Sequence, residues 1–214
     1  MYTQQVGMTK LRPTFPKMGA NVTYTDSGLP FLPATMIKDI DGVKVGFIGI
    51  TSDIVPMMDP MLARNLTFLQ GETAYRDLIN NHAQTLRAQG ANLVVVMSEL
   101  GIHKDYRLSD VINVGSVDVF FSAHTHEKTF TPLLGNSGAL VVESGNDAWL
   151  GRMDVTVNAG EKPTFKWQLL SLDSRIPEDS AMQKLVTVAR EPFLVEDPNL
   201  ALPMKTTTLV LHQS

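Results

Sequence analysis

The sequence predicts a mixed α/β fold that combines parallel and antiparallel strands. Three observations carry the prediction. Apolar runs rich in Val, Ile and Phe recur at "GVKVGFIGIT" (42 to 51), "ANLVVVMS" (91 to 98) and "VDVFFSA" (117 to 123), the pattern of strands buried on both faces. Helical patterns separate these runs, which implies parallel pairing. After the third run the rhythm changes to strand-like segments divided only by turns, which implies antiparallel pairing.

Residues 1 to 36 are rich in Thr, Pro and Gly and read as an irregular connection with a short extended piece around "ANVTY". The run 42 to 51 is the first strong core strand. From Glu72 to Gln89, Ala74, Leu78, Ile79, Ala83 and Leu86 recur at helical spacing, and Gly90 stands where a helix would end. The second strand follows at 91 to 98, "DYRLSDVINV" reads as a short helix, and the third strand ends just before a pair of histidines. "GALVVES", "WLGRMDVTVN" and "TFKWQLLSLD" are strands separated by Gly, Asn and Pro turns, expected to pair antiparallel. "EDSAMQKLVTVAREPF" reads as a last helix capped by Asp179 or Ser180, and the tail from Val195 shows no pattern. The organisation expected is a connection at 1–36, a principal domain at 37–175, and a helix with a tail at 176–214.

With 214 residues, 43% of them hydrophobic, the chain is long enough to bury a real core. A formal net charge of −4 without blocks of like charge gives no reason to expect nucleic acid or an anionic membrane as a partner. The absence of cysteine excludes disulfides, thiolate nucleophiles and sulfur-ligated metal. No apolar run approaches the roughly 20 residues that span a bilayer, and "MYTQQVGMTKLRPTFPKMG" has no apolar signal region.

In an α/β sheet, ligands gather beyond the carboxyl ends of parallel strands. Glu99 follows the second strand there, and His124 and His126 follow the third. In extended backbone, residues two apart point the same way, so the two histidines are expected to address one site while Thr125 points elsewhere. His103 and Glu127 are further metal-ligand candidates, and Asp105 is a candidate to orient a histidine, although "GIHKDY" and "EKT" read as solvated loops. Asn146, at the end of a strand, is the substrate-binding candidate, in a Gly-Asn-Asp run that is also ordinary turn chemistry. His82 and His212 fall away from this region. Met57, Met58 and Met61 form an apolar patch suited to packing or to lining a cleft.

The ordered segments "KVGFIGITSD", "VVVMSELG", "VDVFFSAHTHE" and "VVESGNDAWLGRMDVTV" resemble the later part of the calcineurin-like metallophosphoesterase domain of bacterial 5'-nucleotidases and related thiosulfohydrolases, over most of residues 16 to 175. "SAHTHE" is similar to the family's Gly-His-x-His motif and "MSELG" to its Ser-His-x-Gly loop, with Glu99 where the family has a histidine ligand. The family's Asp-x-His, Gly-Asp and Gly-Asn-His-Glu/Asp motifs precede "ANV" and are not in this chain. The resemblance therefore implies an N-terminally incomplete metallophosphoesterase sandwich.

It also implies one or two divalent metals, zinc or manganese, held by Glu99, His124 and His126, with water attacking a phosphate monoester such as a nucleotide. Two alternatives stay open: a single-metal hydrolase of carboxylic or other simple esters, and a non-catalytic remnant serving assembly or binding. Loss of neighbouring strands is expected to expose the edge of "GVKVGFIGIT" and to drive a homodimer or strand-swapped oligomer. A parent protein of this kind is expected to be periplasmic.

Overall fold

The computed structural model describes residues 15–58, 60–61, 63–158 and 161–196. His212, the first 14 residues and the end of the tail lie outside that set. The strands in order are β1 (Val22–Tyr24), β2 (Thr35–Ile40), β3 (Val43–Ile50), β4 (Leu66–Phe68), β5 (Leu93–Ser98), β6 (Val119–Ser122), β7 (Leu133–Leu134), β8 (Leu140–Glu143), β9 (Trp149–Thr156) and β10 (Thr164–Ser171). The helices are α1 (Val55–Met58), α2 (Glu72–Ala88), α3 (Ile102–Val111) and α4 (Ser180–Glu196).

The central sheet has the order β2-β3-β5-β6-β8-β7. Its inner four strands, β3, β5, β6 and β8, run parallel, and β2 and β7 close the two edges antiparallel. The three core strands and the parallel layer match the expectation from sequence. Strand β8 does not: it joins β6 in parallel instead of opening the antiparallel part. Its crossover carries β7 in place of a helix, so the sequence signature of a parallel unit is missing there.

Strand β2 begins at Thr35, at the end of the stretch expected to be irregular up to residue 36, and runs on to Ile40. It forms a hairpin with β3 through Asp41 (φ 50) and Gly42 (φ 84), the left-handed pair that a tight hairpin needs. Strand β3 is therefore paired on both sides, by β2 and by β5, and the open edge expected at "GVKVGFIGIT" is not found among the described residues. The edge strand β2 instead carries Lys38 and Asp39, charges that discourage further pairing.

The side chains of α2 show why it forms: Tyr75, Ile79, Ala83 and Leu86 make one buried stripe, and Gly90 (φ 89) ends the helix with its N–H donating to the Arg87 carbonyl. That stripe, together with Leu100, Ile102 and Leu108, packs on Ile48, Ile50, Val94, Val96, Phe120 and Val141 of the sheet. The opposite face holds a smaller cluster of Val45, Leu93 and Val95, with Phe47, Phe121 and Phe165 against it. Phe165 belongs to the β9–β10 hairpin, which is antiparallel as expected, and Trp167 of that hairpin donates its indole N–H to the Thr129 carbonyl at 2.6 Å.

Asn21, only 2% exposed, ties the chain before β1 to the end of β3. Its Oδ1 accepts from Thr51 N at 2.9 Å, and its Nδ2 donates to Thr51 O at 2.7 Å and to the Tyr75 hydroxyl at 3.1 Å. The Tyr75 hydroxyl donates onward to Leu69 O at 2.9 Å, and burial pushes its pKa up.

The contacts divide the chain at Leu172 into two compact units. In the second, α4 covers most of the helix expected at 178 to 193, and Asp179 is the cap: its Oδ1 accepts from Met182 N at 2.8 Å. No helix among the described residues is long and apolar enough to cross a membrane.

Candidate functional site

The strand register sets the site. Ile50, Ser98, Ser122 and Glu143 are paired neighbours across the carboxyl ends of β3, β5, β6 and β8. Each of the last three stands two residues beyond a core side chain, Val96, Phe120 or Val141, and so faces the helix layer. The apolar core thus ends in a polar row. Asp105 of α3, fully buried, reaches into this row, and its two oxygens accept from Ser98 Oγ at 2.8 Å and Ser122 Oγ at 2.6 Å. Burial pushes its pKa up to about 7; the two serine bonds oppose that rise, nearby Glu143 adds to it, and Lys104 opposes it.

Asp105 therefore does not orient a histidine, and "GIHKDY" is the first turns of α3 instead of a solvated loop. A helix can start here because Gly101 (φ 93) turns the chain from β5 into it. His103 and Glu127 are exposed, as expected. Met57, Met58 and Met61 are exposed as well, at 81%, 67% and 62%.

Glu99 leaves β5 with its N–H still bonded to the Ile50 carbonyl. Its carboxylate Oε1 lies 3.8 Å from His124 Nδ1 on the far side of the β6 end, and both side chains are partly open to solvent. These are two of the three metal candidates from the sequence. The backbone around them differs from the extended form expected: β6 stops at Ser122, and His124 (φ 89) and His126 (φ 56) both occupy the left-handed region. The alternation argument therefore does not apply to the pair, and no group of three His, Asp or Glu side chains suited to a metal ion occurs among the described residues.

Between the histidines, Thr125 is held by its hydroxyl. Its Oγ1 accepts from Ile102 N at 3.2 Å and donates to Glu143 Oε2 at 2.6 Å. Asn146 is engaged in its own turn: its carbonyl accepts from Trp149 N at 3.1 Å and its Oδ1 from Ala148 N at 3.4 Å. A cavity of about 280 Å³ is lined by residues including Tyr75, Leu100 and two ion pairs, Lys104 with Asp53 and Arg107 with Glu72, at 2.8 and 2.7 Å.

A parallel sheet backed by helices on one face, with an antiparallel hairpin on the other and its polar groups at the carboxyl strand ends, is the calcineurin-like metallophosphoesterase fold, as the solved structures similar to it bear out. Sulfate thiohydrolase SoxB of Thermus thermophilus superposes with a TM-score of 0.77 at 21% identity, over 88% of this chain and 34% of that one. A 5'-nucleotidase precursor from the same organism gives 0.66 at 22% identity, over 85% and 38%. In sequence, endonuclease YhcR of Bacillus subtilis is 28% identical over 196 residues, 85% of this chain and 16% of that protein. The chain thus spans well under half the length of each of these proteins. No protein-family profile matches it.

The donors present fit a metal ion in part. Oxygen and nitrogen ligands about 2.1 Å from a tetrahedral ion stand about 3.4 Å apart, so Glu99 and His124 at 3.8 Å can form one edge of a coordination sphere with little movement. The arrangement of Glu99, His124 and His126 on a single ion is not formed.

Proposed function

We propose that this chain carries part of the site of a metal-dependent phosphoester hydrolase, in which Glu99 and His124 supply one edge of the metal site. His126, two positions on in the same turn, is the further donor candidate. The observation that carries this reading is the meeting of the Glu99 carboxylate and the His124 imidazole just past the carboxyl ends of adjacent parallel strands. Zinc or manganese suits one oxygen and one nitrogen donor, and such an ion, when bound, supplies an activated water and polarises the phosphoryl oxygens. The protein's own part is to hold the two donors on neighbouring strand ends and to present them to solvent, where a substrate can reach. Asn146 is the candidate contact for substrate on the adjoining turn.

The relatives support a phosphoester in two forms. One solved structure is named a 5'-nucleotidase, which favours a monoester, and the sequence relative is named an endonuclease, which favours a diester. The test is metal stoichiometry on the 214-residue protein reloaded with zinc or manganese, beside Glu99→Ala and His124→Ala, with p-nitrophenyl phosphate, bis-p-nitrophenyl phosphate and p-nitrophenyl acetate as substrates. Binding of about one ion that both variants lose, with turnover confined to the phosphate esters, is the expected result. Equal metal content in all three proteins would sink the metal assignment, and turnover of the acetate alone would transfer the reading to a carboxylic ester hydrolase.

A further inference from the structure

We infer that Glu143 is a positioning residue that holds, through Thr125, the turn carrying His124 and His126. The inference rests on the reading of these histidines as metal donors, and it assigns a task to a buried carboxylate that the site itself leaves unused.

Glu143 is 3% exposed at the last position of β8, and its Oε1 has no hydrogen-bond partner among the described residues. A carboxylate in such a place is costly, so whatever its other oxygen does must be worth keeping. That other oxygen, Oε2, accepts a 2.6 Å bond from Thr125 Oγ1. The main chain of the same residue binds the far end of the turn: Glu143 N donates to Thr129 Oγ1 at 2.6 Å, and Glu143 O accepts from Thr129 N at 3.1 Å and from Thr129 Oγ1 at 2.7 Å. One residue therefore anchors the segment 125 to 129 at both ends.

Thr125 is held from a second side. Its Oγ1 accepts the Ile102 N–H at the start of α3, and its methyl lies against Gly101, where an added Cβ would come within 2.8 Å of Thr125 Cγ2. The residues on either side of Thr125 both have positive φ, conformations that L side chains adopt at a cost and keep only when their surroundings fix them. With the Thr125 hydroxyl tied to Glu143 and Ile102, His124 is left beside Glu99. Without that tie, both histidines can relax toward negative φ, and the pairing with Glu99 loses its support.

The test uses the 214-residue protein with Thr125→Val, which keeps the shape and loses both hydrogen bonds, Thr125→Ser, which keeps the hydroxyl, and Glu143→Leu. Cobalt binding is followed by its visible absorption, the His124 and His126 ring signals and the Ile102 amide exchange are followed by NMR, and a urea midpoint is recorded for each variant. Thr125→Val is expected to weaken cobalt binding by about tenfold or more, to shift both ring signals and to speed Ile102 exchange, with Thr125→Ser restoring all of them. The Val and Ser pair decides the matter even if Glu143→Leu does not fold. Cobalt binding and ring signals that stay at wild-type values in Thr125→Val overturn the inference. If the wild type itself takes up no cobalt, the metal reading fails, and the ring signals with Ile102 exchange still decide whether Thr125 and Glu143 position the turn.

Discussion

Replacing Asp105 by Asn tests the buried polar row in a way that its geometry makes quantitative. The carboxyl group is fully buried between Ser98 and Ser122, and its pKa stands at about 7 against an ordinary 3.8. Because the folded value is the higher one, the neutral form is the one that the native state favours. Its stabilising contribution is complete below the unfolded pKa and is lost as pH rises through about 7. Ionising the group in place costs on the order of 4 kcal/mol, of which about 3 kcal/mol is lost between pH 5 and pH 8.5. The groups facing it are the two serines, Glu143, which adds to the rise, and Lys104, which opposes it. The assay is urea unfolding at pH 5 and pH 8.5 for the wild type and Asp105→Asn. Other titrating groups, His82 with its burial-lowered pKa among them, change both proteins alike, so the difference between the two pH slopes isolates Asp105. The wild type is expected to lose about 3 kcal/mol more than the variant over this range. Parallel slopes would refute the reasoning and show that Asp105 is ionised in the fold at little cost.

Gly49→Ala is expected to destabilise by about 3 kcal/mol or more, since the new Cβ would lie 2.3 Å from Met18 Cβ and 3.0 Å from its carbonyl carbon, a clash that no flexible chain end can relieve; thermal unfolding measures it. Trp167→Phe removes the indole bond to Thr129 O and should cost about 2 kcal/mol in a denaturant titration followed by the fluorescence of Trp149, with a loss below about 0.5 kcal/mol counting against the bond. Asp179→Ala is expected to cost α4 about 1 kcal/mol, read as faster amide exchange at Met182 and its neighbours, while exchange in the β3–β5 ladder stays as it was.

The central strands and α2 were legible because each repeats one period over many residues, and burial on one or both faces fixes that period. Strand β2 was harder, since "TMIKDI" is a half-exposed edge strand in which the burial that makes strands apolar is weak. The turn that defines it was in plain view all the same: Asp41-Gly42 between two strand-like runs is a strong short-range hairpin signal. Strand β8 was recognised but its direction was not. Direction depends on how the chain returns after β6, and a crossover without a helix carries no periodic signature.

At the candidate site, the residue types and their place at the strand ends were readable, and the conformation was not. The spacing of His124 and His126 has a geometric meaning only in extended backbone, and the chain leaves that state at Ser122. What fixes the turn lies far away in sequence: Ile102 and Glu143 are separated from Thr125 by 23 and 18 positions. One trace of it was nevertheless present. Ser98, Ser122 and Glu143 each follow an apolar strand in phase with its buried residues, so a polar side chain at each of those positions must find partners inside the protein. Three such positions on adjacent strands need partners, and polar residues of the connecting segments supply them: Asp105 meets both serines, and Thr125 meets Glu143. In a pair of histidines two apart, the residue between them therefore says more about the shape of the site than the spacing does.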